Sequence, residues 1–229
     1  GASLRELMGL VTKSLLWRGE DGRFQIHELL RQYAHEQLTA VPETLQAVSN
    51  RHSDFFIQFL LAQGEAMKGP QQKETFDLVE LEEDNIRAAW LWALAQGDYA
   101  RVNASLDGLL NFYSARALLS DFHALLSVGV ERVETAVAAN DPDPEAWRTL
   151  FNLLVLSSWS LNYELTNQKP RALCQRALAL LPKIEESVQA TLPYAYLALI
   201  RAWHLDMDAG LAMFSRCLAL LRAKGDAWE

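Results

Sequence analysis

Apolar residues recur at helical spacing along most of the chain, and one short stretch near the N-terminus breaks that rhythm. Ser3 and Glu6 have the residue types and spacing of a capping box, so a helix is predicted from there to about residue 16. Residues 17–26 alternate apolar and polar positions around a Glu-Asp-Gly turn, which favours a β-hairpin. Helical spacing resumes after His27, so the N-terminal segment is predicted as helix, β-ribbon, helix.

Two long amphipathic helices are predicted after Pro42. The first covers residues 43–67, and its apolar face contains Val48, His52, Phe55, Phe56, Phe59 and Leu60. The second ends near Gly97, and its apolar side contains Leu78, Leu81, Ile86, Ala89, Trp90, Ala93 and Leu94. Four acids at its start, Glu80, Glu82, Glu83 and Asp84, are explained without any site if they form a solvated first turn favoured by the helix dipole.

Two further helices are predicted over residues 99–117 and 119–139. After them, Asp143 and Pro144 are typical of an N-cap and of the first helical position. The helical pattern then continues to the end of the chain.

An internal repeat lies in this last part. Residues 176–181, Arg-Ala-Leu-Ala-Leu-Leu, recur as Arg-Cys-Leu-Ala-Leu-Leu at residues 216–221, a shift of 40 residues. A period of this size indicates a helical solenoid. Small residues occur where paired helices would cross closely, at Ser158, Ala177, Ala198, Gly210 and Cys217.

The N-terminal segment resembles the winged-helix region that follows the nucleotide-binding domain in STAND-type (NB-ARC-like) regulatory P-loop NTPases. The triplet Ile26-His27-Glu28 corresponds to the Met-His-Asp triplet of that family. The resemblance implies that His27 contacts the β-phosphate of ADP in the whole protein. The partner there would be the chain's own upstream nucleotide-binding domain, which would hold ADP or ATP with Mg, whereas this chain itself holds no cofactor.

Residues 80–90 resemble a Glu-x-Asp-Asn-Leu-Arg-Ala-Ala motif at the start of helical sensor regions in bacterial STAND regulators. The repeats that follow resemble tetratricopeptide repeats, with the longer period of MalT-like sensor arrays. The implied fold is all-α, a partial winged helix with a β-hairpin followed by a tetratricopeptide-like α-solenoid. Its predicted division is a winged-helix segment at 3–41, a helical start of the array at 42–140, and repeats at 141–229.

A solenoid of this type binds partners on the face formed by the first helix of each pair. The resemblance places Asn152, Val155, Trp159 and Asn162 there, followed by Leu192, Leu199 and Ala202. We therefore expect Asn152, Trp159 and Asn162 to be candidates for binding an unknown protein or small-molecule signal. The alternative for Trp159 is simple packing against a neighbouring helix.

Composition narrows the function further. Half of the 229 residues are hydrophobic, which allows a sizeable core, and the formal charge of −8 argues against direct nucleic-acid binding on electrostatic grounds. No apolar run reaches the length of a membrane span, so we expect a cytoplasmic protein without membrane contact. Cys174 and Cys217 have no paired-ligand spacing and are predicted as core residues. Gly1-Ala2 looks like an expression remnant, and we expect the chain to be part of a longer protein.

Catalytic signatures are missing from the sequence. None of the five histidines occurs in an HExxH arrangement, and there is no GxxxxGK[ST] loop, GxGxxG or GxSxG. We therefore predict a non-catalytic chain without a metal site. Its expected function is to sense a signal and to autoinhibit a STAND NTPase, coupling the signal to nucleotide exchange and oligomerisation. The alternatives are a constitutive interaction scaffold and a winged-helix transcription regulator, and the acidic charge disfavours the second.

Overall fold

A computed structural model describes residues 3–19, 22–139, 143–161, 168–184 and 191–224. These residues form α-helices α1 to α11, two 3-10 turns and one ribbon of strands β1 and β2. The bounds are α1 Leu4–Thr12, β1 Leu16–Arg18, β2 Phe24–Ile26, α2 Glu28–Thr39, α3 Pro42–Ala62, α4 Gln72–Glu80, α5 Glu83–Ala95, α6 Tyr99–Ala115, α7 Leu119–Ala139, α8 Pro144–Ser160, α9 Lys169–Leu180, α10 Leu192–His204 and α11 Met207–Lys224, with 3-10 turns at Ala66–Lys68 and Leu181–Lys183. The prediction of an all-α fold with one short ribbon is confirmed. Two compact units are present, Gly1–Arg51 and His52–Glu229.

The capping box that starts α1 is present. Ser3 Oγ accepts a hydrogen bond from the Glu6 N–H at 3.3 Å, and Glu6 Oε2 accepts one from the Ser3 N–H at 2.6 Å. The helix ends at Thr12, earlier than predicted, because Ser14 adopts a left-handed backbone with φ of +58°. A residue in that conformation cannot continue a right-handed helix.

The predicted hairpin is confirmed as an antiparallel ribbon of β1 and β2. Leu16 pairs with Ile26, Trp17 with Gln25, and Arg18 with Phe24. Gly22 has φ of +81°, a value that glycine adopts without steric cost. The predicted turn residues Glu20 and Asp21 lie outside the described residues.

The N-terminal unit has no core among its described residues, since none of them between positions 3 and 51 is buried. Its large exposed apolar side chains are Leu4, Met8, Leu10, Leu15, Trp17, Ile26, Leu29, Tyr33, Val41 and Val48. Fully burying such a side chain contributes about 1.5–3 kcal/mol. The described part of this unit does not gain that contribution.

The second unit contains one continuous apolar core, and α3 enters it on a different face from the predicted one. Its buried residues are Ser53, Ile57 and Leu60, whereas Phe55 is 64% exposed. Ser53 donates a hydrogen bond to the Ala89 carbonyl at 2.8 Å, so the serine side of α3 packs on α5. The apolar face predicted for this helix is therefore wrong at Phe55, which does not pack into the core.

The helix predicted to end near Gly97 is divided into α4 and α5. Glu82 has φ of −111° and ψ of +9°, and helical geometry restarts at Glu83. Leu78 and Leu81 are 43% and 61% exposed, so they do not belong to the apolar face as predicted. The predicted core residues of α5 are buried, including Trp90, which is fully enclosed.

Helices α6 to α11 pack in alternation, which means that α8 contacts α6 and α10 in addition to its neighbours in the chain. α8 contacts α6, α7, α9 and α10, and α10 contacts α9 and α11. The predicted start of α8 is confirmed, because the Asp143 side chain accepts from the Glu145 N–H at 3.0 Å and Pro144 is the first helical residue. Gly210 lies at a close crossing, where a Cβ would be 2.5 Å from the backbone nitrogen of Ala202. This packing places α6, α8 and α10 beside one another.

Candidate ligand-binding site

A pocket of about 390 Å³ lies along α6, α8 and α10. Its apolar wall includes Leu106, Leu110, Leu156 and Pro193. Its polar wall includes Asn103, Asp107, Glu145, Arg148 and Asn152. A mostly apolar cavity of this volume with a few polar groups is typical of small-molecule sites, whose volumes are about 300–1,000 Å³.

An amide network joins α6 to α8 at this pocket. Asn103 Nδ2 donates to Glu145 Oε1 and to Thr149 Oγ1, both at 2.8 Å. Asn103 Oδ1 accepts from Asn152 Nδ2 at 3.0 Å. Because the Thr149 hydroxyl donates its hydrogen to the Glu145 carbonyl, its oxygen accepts a hydrogen bond from Asn103, and this fixes the orientation of both amides.

The network leaves one acceptor without a partner. Asn152 is only 7% exposed, and its Oδ1 atom is buried with no hydrogen bond. A buried unsatisfied acceptor costs about 1–3 kcal/mol. A ligand that brings a donor to this atom would recover part of that cost.

Two carboxylates and one guanidinium line the pocket. Asp107 is 3.1 Å from the Lys68 ammonium, and Glu145 is 3.8 Å from the Arg148 guanidinium. Both pairs are partly exposed, so their attraction is screened by solvent. Each carboxylate is therefore paired with a cation, Asp107 closely and Glu145 at a longer distance.

An aromatic stack continues from the pocket along α10. The Trp159 ring lies 4.5 Å from the Tyr196 ring with 27° between their planes, and 6.0 Å from the Trp203 ring with 21°. Tyr196 also lines the pocket, and Trp203 is 55% exposed. Trp159 itself is half-buried, so it both packs against α10 and belongs to this aromatic surface.

Of the other residues predicted on this face, Leu199 is half-buried, and the side chain of Leu192 lies outside the described part of the structure. Asn162 lies outside the described residues. Val155 is fully buried, and Ala202 packs against Gly210 of α11, so these two belong to helix packing rather than to an open groove. Asn103, Glu145 and Tyr196 were not predicted. No repeat in the sequence extends to α6, and only tertiary contact brings Asn103 to Asn152 across 49 positions.

His27 lies where the sequence predicted, at the start of α2. Its Nδ1 accepts a hydrogen bond from the Leu29 N–H at 3.3 Å, and its ring is exposed. A neutral imidazole that accepts at Nδ1 has its proton on Nε2, so Nε2 is a donor. Glu28 beside it binds the Arg31 guanidinium with both oxygens at 2.7 Å, and hydrogen bonds from Arg31 and Gln32 lower the pKa of Glu28 to about 2.

The acidic motif at the start of α5 makes hydrogen bonds that reach other helices. From the sequence alone, its acids were expected to form a solvated first turn. Glu83 accepts from the Tyr113 hydroxyl of α6 at 2.6 Å, and burial together with Glu83 raises the pKa of Tyr113. Asn85 donates to Glu82 at 2.7 Å and lies 3.4 Å from the His52 ring of α3. These contacts give the motif a structural role.

A histidine of α7 and a serine of α8 lie as close together as a general base and the nucleophile that it activates, but the serine is not exposed to solvent. His123 Nδ1 of α7 lies 2.9 Å from Ser157 Oγ of α8. The Ser157 side chain is 1% exposed, so a substrate cannot reach its hydroxyl. The pair therefore connects α7 to α8.

Other chemistry is limited in the part of the chain that the structure describes. Cys174 and Cys217 are buried free thiols, and burial raises the pKa of Cys174 to about 11. No group of three potential metal ligands was found among the described residues, and none of the described helices is long and apolar enough to cross a bilayer. A scan with protein-family models, a search of curated proteins and a search of solved structures each returned no match.

Proposed function

We propose that this chain is the signal-sensing and autoinhibitory region of a STAND-type regulatory NTPase. In this proposal the N-terminal unit is the winged-helix segment that contacts a nucleotide-binding domain. The second unit is a tetratricopeptide-like array that binds the signal. The whole protein would use ADP and ATP with Mg, respond to the signal by nucleotide exchange, and oligomerise in the cytoplasm.

The observation that carries the proposal is the absence of buried residues in the described part of the N-terminal unit. The unit exposes many large apolar side chains, and exposed apolar patches mark interaction surfaces. The resemblance in sequence supplies the class of partner, the nucleotide-binding domain of a STAND protein.

The geometry of His27 supports the nucleotide contact. Nδ1 caps α2 and Nε2 is a donor on an exposed ring, so the imidazole can donate to an anion without losing its cap. Such a hydrogen bond to a phosphate is charge-assisted and contributes about 1.5–3 kcal/mol. This value corresponds to about 10- to 150-fold in ADP affinity, since 1.4 kcal/mol is a factor of ten.

The alternation of α6 to α11 supports the sensor assignment. In a tetratricopeptide-like array the first helix of each pair lines one face. Every second helix here, α6, α8 and α10, contributes residues to the pocket, which supports this assignment. Coupling requires that the signal bind the open state more tightly than the closed state. A pocket formed by three helices meets this need, because its shape depends on how those helices pack.

The first test is to read the gene upstream of Ser3 for a P-loop sequence. The second measures ADP retention and spontaneous oligomerisation of the whole protein carrying His27→Asn. Asparagine preserves the N-cap acceptor but lacks the imidazole donor, so helix α2 should remain while ADP dissociates faster. His35→Ala, an exposed histidine of the same helix, is the matched control and should retain ADP normally.

Two results would contradict the proposal. One is the absence of a P-loop domain from the gene product. The other is unchanged ADP retention and unchanged basal oligomerisation in His27→Asn. Either result would favour a constitutive interaction scaffold, in which the array binds a partner without nucleotide control.

A further inference from the structure

We infer that the pocket between α6, α8 and α10 binds a small organic ammonium ion attached to an apolar body. This inference rests on the proposed role of the array as the signal-binding part and deepens it by naming the chemical class of the ligand. Three separate features of the pocket support it.

The first feature is the unpaired acceptor. Asn152 is more than nine-tenths buried, it lines the pocket, and its Oδ1 has no partner. The amide cannot simply rotate to present its nitrogen, because Asn152 Nδ2 is held by Asn103 Oδ1. A ligand that places an N–H or O–H donor at this atom would satisfy it.

The second feature is charge. Among the described residues, the charged side chains that line the pocket are Asp107, Glu145 and Arg148, and Asp107 is already paired with Lys68 at 3.1 Å. Asn103 hydrogen-bonds to both Glu145 and Asn152, and Glu145 keeps acceptor capacity on Oε2, which lies 3.8 Å from Arg148. An ammonium has three donors and no acceptor, so it can donate to the Glu145 carboxylate and still offer donors to an amide oxygen of the lining.

The third feature is the rest of the lining. Leu106, Leu110, Leu156 and Pro193 provide an apolar wall. Tyr196 adds an aromatic ring that is stacked on Trp159. Aromatic rings attract cations through their π faces, and apolar walls bind hydrocarbon, so an amphipathic amine fits both.

The test compares three ligands of one shape by isothermal calorimetry with the 229-residue chain. They are 2-phenylethylamine, the neutral 2-phenylethanol and the anionic 3-phenylpropionate. We expect the amine to bind at least tenfold more tightly than the alcohol, and the acid to bind most weakly. Because the whole chain is acidic, the titration is repeated at higher salt, where a non-specific attraction disappears.

Two pocket variants locate the binding. Glu145→Gln removes the charge but keeps an acceptor for Asn103, so amine affinity should fall about tenfold while alcohol affinity stays constant. Asn152→Leu removes the unpaired acceptor and should lower amine affinity by a similar factor. Glu131→Gln and Asn111→Leu are matched controls outside the pocket and should change neither value.

The outcomes separate this inference from the proposed function. Equal binding of amine and alcohol, tighter binding of the acid, or no binding of any probe overturns the amine class. Amine binding that is unchanged in Glu145→Gln overturns the location, and this variant decides the matter even if Asn152→Leu does not fold. The STAND assignment is judged independently, by ADP retention in the His27 variant.

Discussion

Gly210 provides the most direct test of how α11 packs against α10. A Cβ at this position would lie 2.5 Å from the Ala202 backbone nitrogen and 2.6 Å from its Cα and Cβ. Two of these atoms belong to the backbone of α10, so a side-chain rotation cannot relieve the clash. Gly210→Ala must therefore push α11 away from α10, the helix that carries Tyr196 and Trp203.

The magnitude follows from two opposing effects. Alanine in place of a helical glycine gains about 0.5–1 kcal/mol from backbone entropy. Moving the closest contact from 2.5 Å to an ordinary distance of 3.4 Å or more separates two packed helices. Overpacking of this kind costs about 1–3 kcal/mol and sometimes more. Because backbone atoms cannot move aside as a side chain can, the cost here belongs to the upper part of that range, about 2–3 kcal/mol, and Gly210→Ala should lower the free energy of unfolding by about 1–2.5 kcal/mol.

The assay is urea unfolding followed by circular dichroism and tryptophan fluorescence. Ser215→Ala, at an exposed position of the same helix, is the control and should change the free energy of unfolding by less than about 0.5 kcal/mol. Gly9→Ala gives the contrasting sign, because a Cβ there meets nothing within 4 Å and α1 should gain helicity. If Gly210→Ala is as stable as the wild type, the close crossing of α10 and α11 is wrong.

Three further predictions concern individual side chains. Tyr113→Phe should lower the free energy of unfolding by about 1–3 kcal/mol, because it removes the hydroxyl that donates to Glu83, and a loss near zero in urea unfolding would contradict this contact. Cys174 should react slowly with 5,5′-dithiobis(2-nitrobenzoate) at pH 8 in the folded protein, because burial raises its pKa to about 11, and quickly in urea; equal rates would show an open site. Carboxyl-resolved NMR should show Glu28 titrating near pH 2 instead of its ordinary 4.5, so its stabilising contribution is complete above pH 4.5 and is lost as the pH falls towards 2. Arg31→Ala should return that midpoint towards 4.5, and an unchanged midpoint would show that the ion pair is not its cause.

Local signals in the sequence were sufficient for several elements. The capping box at Ser3, the ribbon that ends at Ile26 and the N-cap at Asp143 all depend on residues within a few positions of one another. His27 was placed correctly at the start of α2 for the same reason. Such features need no knowledge of the remaining chain, because their hydrogen bonds close locally.

Helix periodicity was a weaker guide to which side of a helix is buried. Phe55 belongs to the predicted apolar face of α3, yet it is exposed, and the polar Ser53 is buried against α5. Several apolar residues around a helix define more than one possible face. The neighbouring helix selects among them, because it can satisfy the Ser53 hydroxyl at the Ala89 carbonyl.

The candidate site shows the same division between local and tertiary information. Asn152 was predicted from its position on the first helix of a repeat, but its partner Asn103, the nearby Glu145 and the stacked Tyr196 were not. The sequence by itself determined an all-α chain with one ribbon, a capped histidine at α2 and small residues at a helix crossing. Only the tertiary structure decided that Asn152 bonds to Asn103 and keeps an unpaired acceptor, because hydrogen bonds between residues 49 positions apart depend on how α6 and α8 pack.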